Sequence, residues 1–124
     1  MLRQIDCVQV PVPSLDEGLR FYRDELGLEL KWRRATQAGL RLGEAELVLQ
    51  TERPRAETEF LVDSVDEAAR RIEEAGGRVL DGPRDIPVGR LVVVADPFGN
   101  PLVLLDLSKG TFVTDSSGHV TGVR

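Results

Sequence analysis

The chain has 124 residues, 41% of them apolar and 30% charged, which is the size and mixture of one globular domain able to bury a core and argues against disorder. A formal charge of -5 disfavours nucleic acid and anionic membranes as partners and leaves cationic or neutral small ligands open. With no apolar run near the ~20 residues that cross a bilayer, no secretory stretch at the start, and one cysteine, Cys7, that cannot form an intramolecular disulfide, the expectations are a cytoplasmic location and a fold held by packing or by association as a homodimer.

In chain order, Cys7 to Val12 alternates apolar and polar residues and reads as a half-buried strand. Ser14-Leu15-Asp16-Glu17 follows as a capping box, in which the serine hydroxyl accepts a backbone N–H three residues on and the glutamate reaches back. Leu15, Leu19, Tyr22 and Leu26 then form a helical stripe that stops at Gly27. Three strands are read next, near residues 28–34, 39–42 and 46–51, and Arg53-Pro54-Arg55 is the joint to what comes after.

The pattern then repeats at an offset of fifty residues. Glu57 to Val62 is a strand, Ser64-Val65-Asp66-Glu67 a second capping box, and Val65, Ala68, Ala69, Ile72 and Ala75 a second stripe ending at Gly76-Gly77. Strands near residues 78–81, 90–95 and 102–107 complete the copy, with Pro83, Pro87 and Gly89 breaking the chain between the first two of them. The tail, residues 111–124, reads as two short strands around a turn, a hairpin expected to be loose or docked on a partner.

A β-α-β-β-β unit repeated within one chain, with Leu19-Arg20-Phe21-Tyr22-Arg23-Asp24-Glu25-Leu26-Gly27-Leu28 in its first helix and Asp96-Pro97-Phe98-Gly99-Asn100 before its last core strand, resembles the vicinal oxygen chelate superfamily of glyoxalases, bleomycin-resistance proteins and extradiol dioxygenases. The resemblance covers roughly residues 3–107 and implies an α+β fold, one domain over residues 1–110 built of modules 3–53 and 56–107, each curling its sheet into half of a cup. Two halves, in one chain or across a dimer, would enclose a ligand.

Strand parity says which side chains would face that cup, because residues two apart share a face. Cys7 and Gln9 lie opposite the helix-facing valines of the first strand; Val48 and Gln50, Glu57 and Glu59 with Leu61, and Val103 and Leu105 lie likewise on theirs. Trp32 offers a flat surface for stacking on a ligand or for filling the core, and Phe112 in the tail has the same two uses.

Metal-dependent relatives would carry histidine or glutamine on the first strand, a carboxylate or similar ligand on the fourth, histidine on the fifth and glutamate on the eighth. Here those places hold Cys7, Gln50 or Val48, Glu57 and Val103. The best remaining trio, Cys7, Gln50 and Glu57, mixes a thiolate, a neutral amide and one carboxylate, and valine coordinates nothing. Cys7 reads as a small buried residue and not a nucleophile, since the one histidine, His119, lies in the tail and is read as solvent-facing.

Glu57 and Glu59 either receive a cationic or hydrogen-bond-donating ligand or pair with arginines such as Arg34 or Arg41, and Arg53 and Arg55 read as solvated charges. The expected function is a metal-independent small-molecule binding protein of the bleomycin-resistance type, without cofactor, lined by Cys7, Gln9, Trp32, Gln50, Glu57, Glu59, Val103 and Leu105. The alternative is a metal-dependent lyase, isomerase or dioxygenase whose divalent ion acts as a Lewis acid.

Overall fold

A computed structural model describes residues 1–124. It divides into two compact units, one made of Met1–Ile5, Thr58–Thr111 and Val123–Arg124, the other of Asp6–Glu57 and Phe112–Gly122. No helix is long and apolar enough to cross a membrane.

The first repeat runs β1 (Gln4–Pro11), α1 (Leu15–Leu19), β2 (Leu30–Arg33), β3 (Gln37–Leu42) and β4 (Ala45–Gln50), and its strands lie in the order β2-β3-β4-β1. Neighbours β2, β3 and β4 are antiparallel, whereas β4 and β1 are parallel, because the helix returns the chain to the edge of its own sheet. Ser14 caps α1 as its motif demands, its hydroxyl accepting the Glu17 N–H at 3.1 Å.

Beyond α1 the helix loosens into a π-helical turn, Arg20–Glu25, in which Leu26 N–H reaches back five residues to the Phe21 carbonyl at 3.0 Å. That winding turns Leu26 out of the expected stripe, and it is 55% exposed. Leu15 and Leu19 stay buried against Ala38, Leu40 and Leu49, with Val10, Val12, Tyr22 and Leu47 around them.

The second repeat runs β5 (Glu57–Leu61), α2 (Val65–Glu74), β6 (Arg78–Ile86), β7 (Gly89–Ala95) and β8 (Pro101–Asp106), in the order β5-β8-β7-β6. Here β5 and β8 are the parallel pair, as β1 and β4 are above. Ser64 caps α2 by accepting the Glu67 N–H at 3.3 Å, and Gly76, at φ 100, ends the helix in a conformation that side chains resist. Val65, Ala68 and Ala69 bury against Val62, Val92, Val94 and Leu104, while Ala75 at the frayed end is exposed.

Two expectations about the strands need correction. Pro83 does not end the sixth strand: β6 continues to Ile86, absorbing the proline with register shifts between Val79 and Asp81 and between Asp81 and Arg84, as an edge strand can. The tail, expected to be loose or docked on a partner, is seated on the first repeat of its own chain. Its strands β9 (Phe112–Thr114) and β10 (Val120–Val123) form a hairpin whose Phe112 and Val120 pack on the first repeat, with Arg33 N–H donating to the Gly118 carbonyl at 2.8 Å.

Candidate functional site

The face of the first repeat turned away from its helix carries Cys7, Trp32 and Val48 as one buried cluster, against which Phe112 and Val120 are packed. Trp32 reaches this face through a bulge. Leu30 pairs with Leu40 and Trp32 with Gly39, so the extra residue Lys31 reverses parity, sending Leu30 to the helix side and Trp32 to the other. The indole then lies against Gly39, where a methyl group would overlap it, and its Nε1–H donates to Glu46 Oε1 at 2.9 Å. Lys31 Nζ holds the other Glu46 oxygen at 2.9 Å, so this carboxylate is fixed from two sides.

Gln50, wholly buried, is a latch for the chain that leaves β4. Its side-chain oxygen accepts the Glu52 N–H at 2.8 Å and the Arg53 N–H at 2.7 Å, and its amide nitrogen donates to the Arg53 carbonyl at 2.9 Å. Both lone pairs of that oxygen are therefore committed.

The turn so formed aims Arg53 back along the sheet. Its guanidinium donates to the side-chain oxygen of buried Gln9 and stands 3.4 Å from Glu57 Oε1. Arg53 is thus not the solvated charge expected of it, and Glu57 pairs with this arginine instead of Arg34 or Arg41. Arg41 bonds Glu29 at 3.1 Å, and Arg34 lies over the Phe112 ring, 5.5 Å from its centroid. Arg53 and Glu46 are the residues that sequence reasoning missed. Glu46 shares parity with Val48 and Gln50, a signal that was present; the path of Arg53 depends on the Gln50 latch, which no local pattern announces.

In the second repeat, β5 and β8 set Glu59 opposite Val103 and Leu61 opposite Leu105, and β7 continues the same face with Leu91 and Val93. Glu59 is 9% exposed, Val103 8% and Leu105 4%, so a buried carboxylate shares this face with aliphatic side chains. Their neighbours in sequence, Phe60 and Leu104, face the α2 core. His119 is exposed in the hairpin, its Nδ1 3.8 Å from Asp115.

Donor chemistry tests whether Cys7, Gln50 and Glu57 suit a divalent ion. Cys7 lies in a cluster with an indole and a valine, the Gln50 oxygen is already saturated, and Glu57 faces a guanidinium. A cation site needs at least three converging donors and no competing positive charge, so these three residues do not fit one.

Residues 4–104 match the profile of the Glyoxalase/Bleomycin resistance protein/Dioxygenase superfamily. The chain belongs to this superfamily. An uncharacterized protein of Mycolicibacterium smegmatis is 35% identical over 106 residues, covering 81% of this chain and 90% of its own. Among solved structures, a methylmalonyl-CoA epimerase from Mycobacterium tuberculosis superposes with a TM-score of 0.72 at 19% identity, over 86% of this chain and 89% of that one. Homoprotocatechuate 2,3-dioxygenase from Brevibacterium fuscum, in complex with 3,4-dihydroxyphenylacetate, superposes with a TM-score of 0.65 at 24% identity, over 86% of this chain and 37% of that one. At these identities the superpositions establish the fold, the tandem βαβββ arrangement of a mixed α+β protein.

Proposed function

We propose that this member of the superfamily is a metal-independent receptor that binds a small organic molecule against the helix-free face of its sheet. One observation carries the reading: the strand positions at which metal-dependent relatives would ligate an ion hold groups that are apolar or already engaged, namely Cys7 among Trp32 and Val48, Gln50 in its loop, Glu57 on Arg53, and Val103. What the faces do offer is apolar wall with a few placed polar groups, the composition of a binding surface without a reactive centre.

The second repeat supplies the clearest recognition chemistry. Glu59, set among Val103, Leu105 and Leu91, suits an organic cation with an apolar body, and the net charge of -5 favours the approach of such a ligand. Titration calorimetry with benzyltrimethylammonium and with bleomycin, on protein treated with a chelator, is expected to give saturable binding that added manganese, iron or zinc leaves unchanged. Glu59→Gln should weaken the cation about tenfold, as loss of one charged contact in a half-apolar setting does. Stoichiometric divalent metal in protein purified without added metal would turn the reading towards the lyase, isomerase and dioxygenase chemistry of the superfamily.

A further inference from the structure

The first repeat has a feature that this function does not use. Its Trp32 platform is covered by a segment of the same chain, and the covering side chain is an aromatic ring held between an indole and a guanidinium. We propose that Phe112 is a resident placeholder, and that the space between Trp32 and Arg34 is a second binding site, for a planar aromatic carboxylate, opened when the C-terminal hairpin lifts.

Four observations lead there. The Phe112 ring centroid is 4.9 Å from that of Trp32, yet the two planes are inclined at 52°. A phenyl ring on a tether is held at that tilt, whereas a free planar molecule could lie parallel on the indole with offset stacking and a larger contact. Secondly, Gly39 gives the indole a bare backbone to lie on, and Glu46 pins its Nε1–H, so the platform is set by the sheet and does not depend on its cover.

Thirdly, Arg34 is exposed and has no carboxylate partner, although neighbouring Lys31 and Arg33 each face an acid, Glu46 at 2.9 Å and Asp16 at 4.0 Å. A guanidinium over a ring face gains some cation–π energy, but a carboxylate on that ring's edge would gain a charge-assisted hydrogen bond as well. Fourthly, the cover is lightly fastened. Strand β9 has three residues and β10 four, Phe112 and Val120 are only half-buried, and the tip is tied to the sheet through a single bridge between Arg33 and His119, of which the Arg33–Gly118 backbone bond is part. Short elements with few buried contacts open at low cost in free energy.

Trp32 is the chain's one tryptophan, so its emission reports this site alone. The probe is 4-nitrobenzoate, a planar carboxylate that quenches indole emission, and 4-nitrobenzamide is the uncharged control. Saturable quenching by the carboxylate is expected in the unaltered chain, at least tenfold tighter in Phe112→Ala, where the placeholder is gone. In Arg34→Gln the carboxylate should fall several-fold, to the level of the amide. If circular dichroism shows Phe112→Ala unfolded, Phe112→Leu serves in its place, with a smaller gain.

Quenching that stays linear in the unaltered chain, or saturates only once Phe112 is cut back, makes Phe112 an ordinary core residue and overturns the proposal; so does equal affinity for acid and amide. The Glu59 titration is independent of these readings. A cation that binds without altering Trp32 emission leaves the receptor function standing whether or not the placeholder survives.

Discussion

Single side chains decide what the first repeat's inner face can do. Gln50 sits where a metal ligand would be expected and is spent on holding the turn to Arg53, so its value lies in shape and not in coordination. Gly39 has a comparable, hidden importance. A methyl group there would collide with the Trp32 indole, which lies across it to reach Glu46. In Gly39→Ala the indole must leave its bed, so the expected outcome is a red-shifted Trp32 emission and a loss of about 1–3 kcal/mol, the usual cost of overpacking. Urea unfolding followed at Trp32 checks both, and an unshifted spectrum with unchanged stability would show that the ring does not lie on the sheet. The sequence displays a glycine in a strand, and it displays a tryptophan. That they meet follows from the bulge at Lys31, and a bulge leaves no mark in parity until the register is known.

At the scale of elements, the two repeats show which features local chemistry dictates. Both serines cap their helices as expected, and the apolar stripes of α1 and α2 meet the valines and leucines that alternation assigns to the helix side. Legibility fails where one element constrains another. The π-helical turn that exposes Leu26, the run of β6 through Pro83 and the seating of the tail on the first repeat all depend on contacts distant in sequence.

Asp106 is the clearest such joint, because its carboxylate ties three elements together. One oxygen accepts the Val65 N–H at the start of α2 at 2.9 Å; the other accepts the Arg90 N–H of β7 at 3.0 Å and the Ser108 hydroxyl at 2.7 Å. Asp106→Ala strands the buried Val65 donor and loosens the other two, and should cost about 1–3 kcal/mol. Asp106→Asn keeps one acceptor but turns an N–H towards a donor, so thermal unfolding should place it between the parent and the alanine variant. Equal stability for all three would mean that the carboxylate holds nothing.

For the whole molecule, titration sets carboxylates against each other. Burial pushes the Asp106 carboxyl up, but the Val65, Ser108 and Arg90 donors outweigh it and hold the group below the ordinary carboxylate range. Asp85, through Lys109 and Arg90, Asp96, through Asn100 and the turn backbone, and Asp115, through His119 and Ser117, are also lowered. A group more acidic folded than unfolded contributes stability above its unfolded pKa and loses it as pH falls through the folded one. Asp6 runs the other way: burial, then the charge of Glu46, push its carboxyl up against a smaller pull from Lys31, so its ionisation costs stability at neutral pH and acid relieves that cost.

The unfolding midpoint should therefore drop below the ordinary carboxylate range, where the four lowered acids gain protons, and Asp106→Asn should flatten that drop. Asp6→Asn should be more stable than the parent at pH 7, with the advantage shrinking as the pH falls and Asp6 in the parent becomes neutral. Of the exposed acids, Asp85 exerts its effect through solvent-screened pairs with Arg90 and Lys109, so 0.5 M salt should reduce its share while leaving that of buried Asp106 largely intact. Thermal unfolding of the three proteins from pH 7 to about pH 2, at low and high salt, separates these contributions. A flat profile for the parent, or an Asp6→Asn advantage that grows in acid, would contradict the assignment of lowered and raised groups.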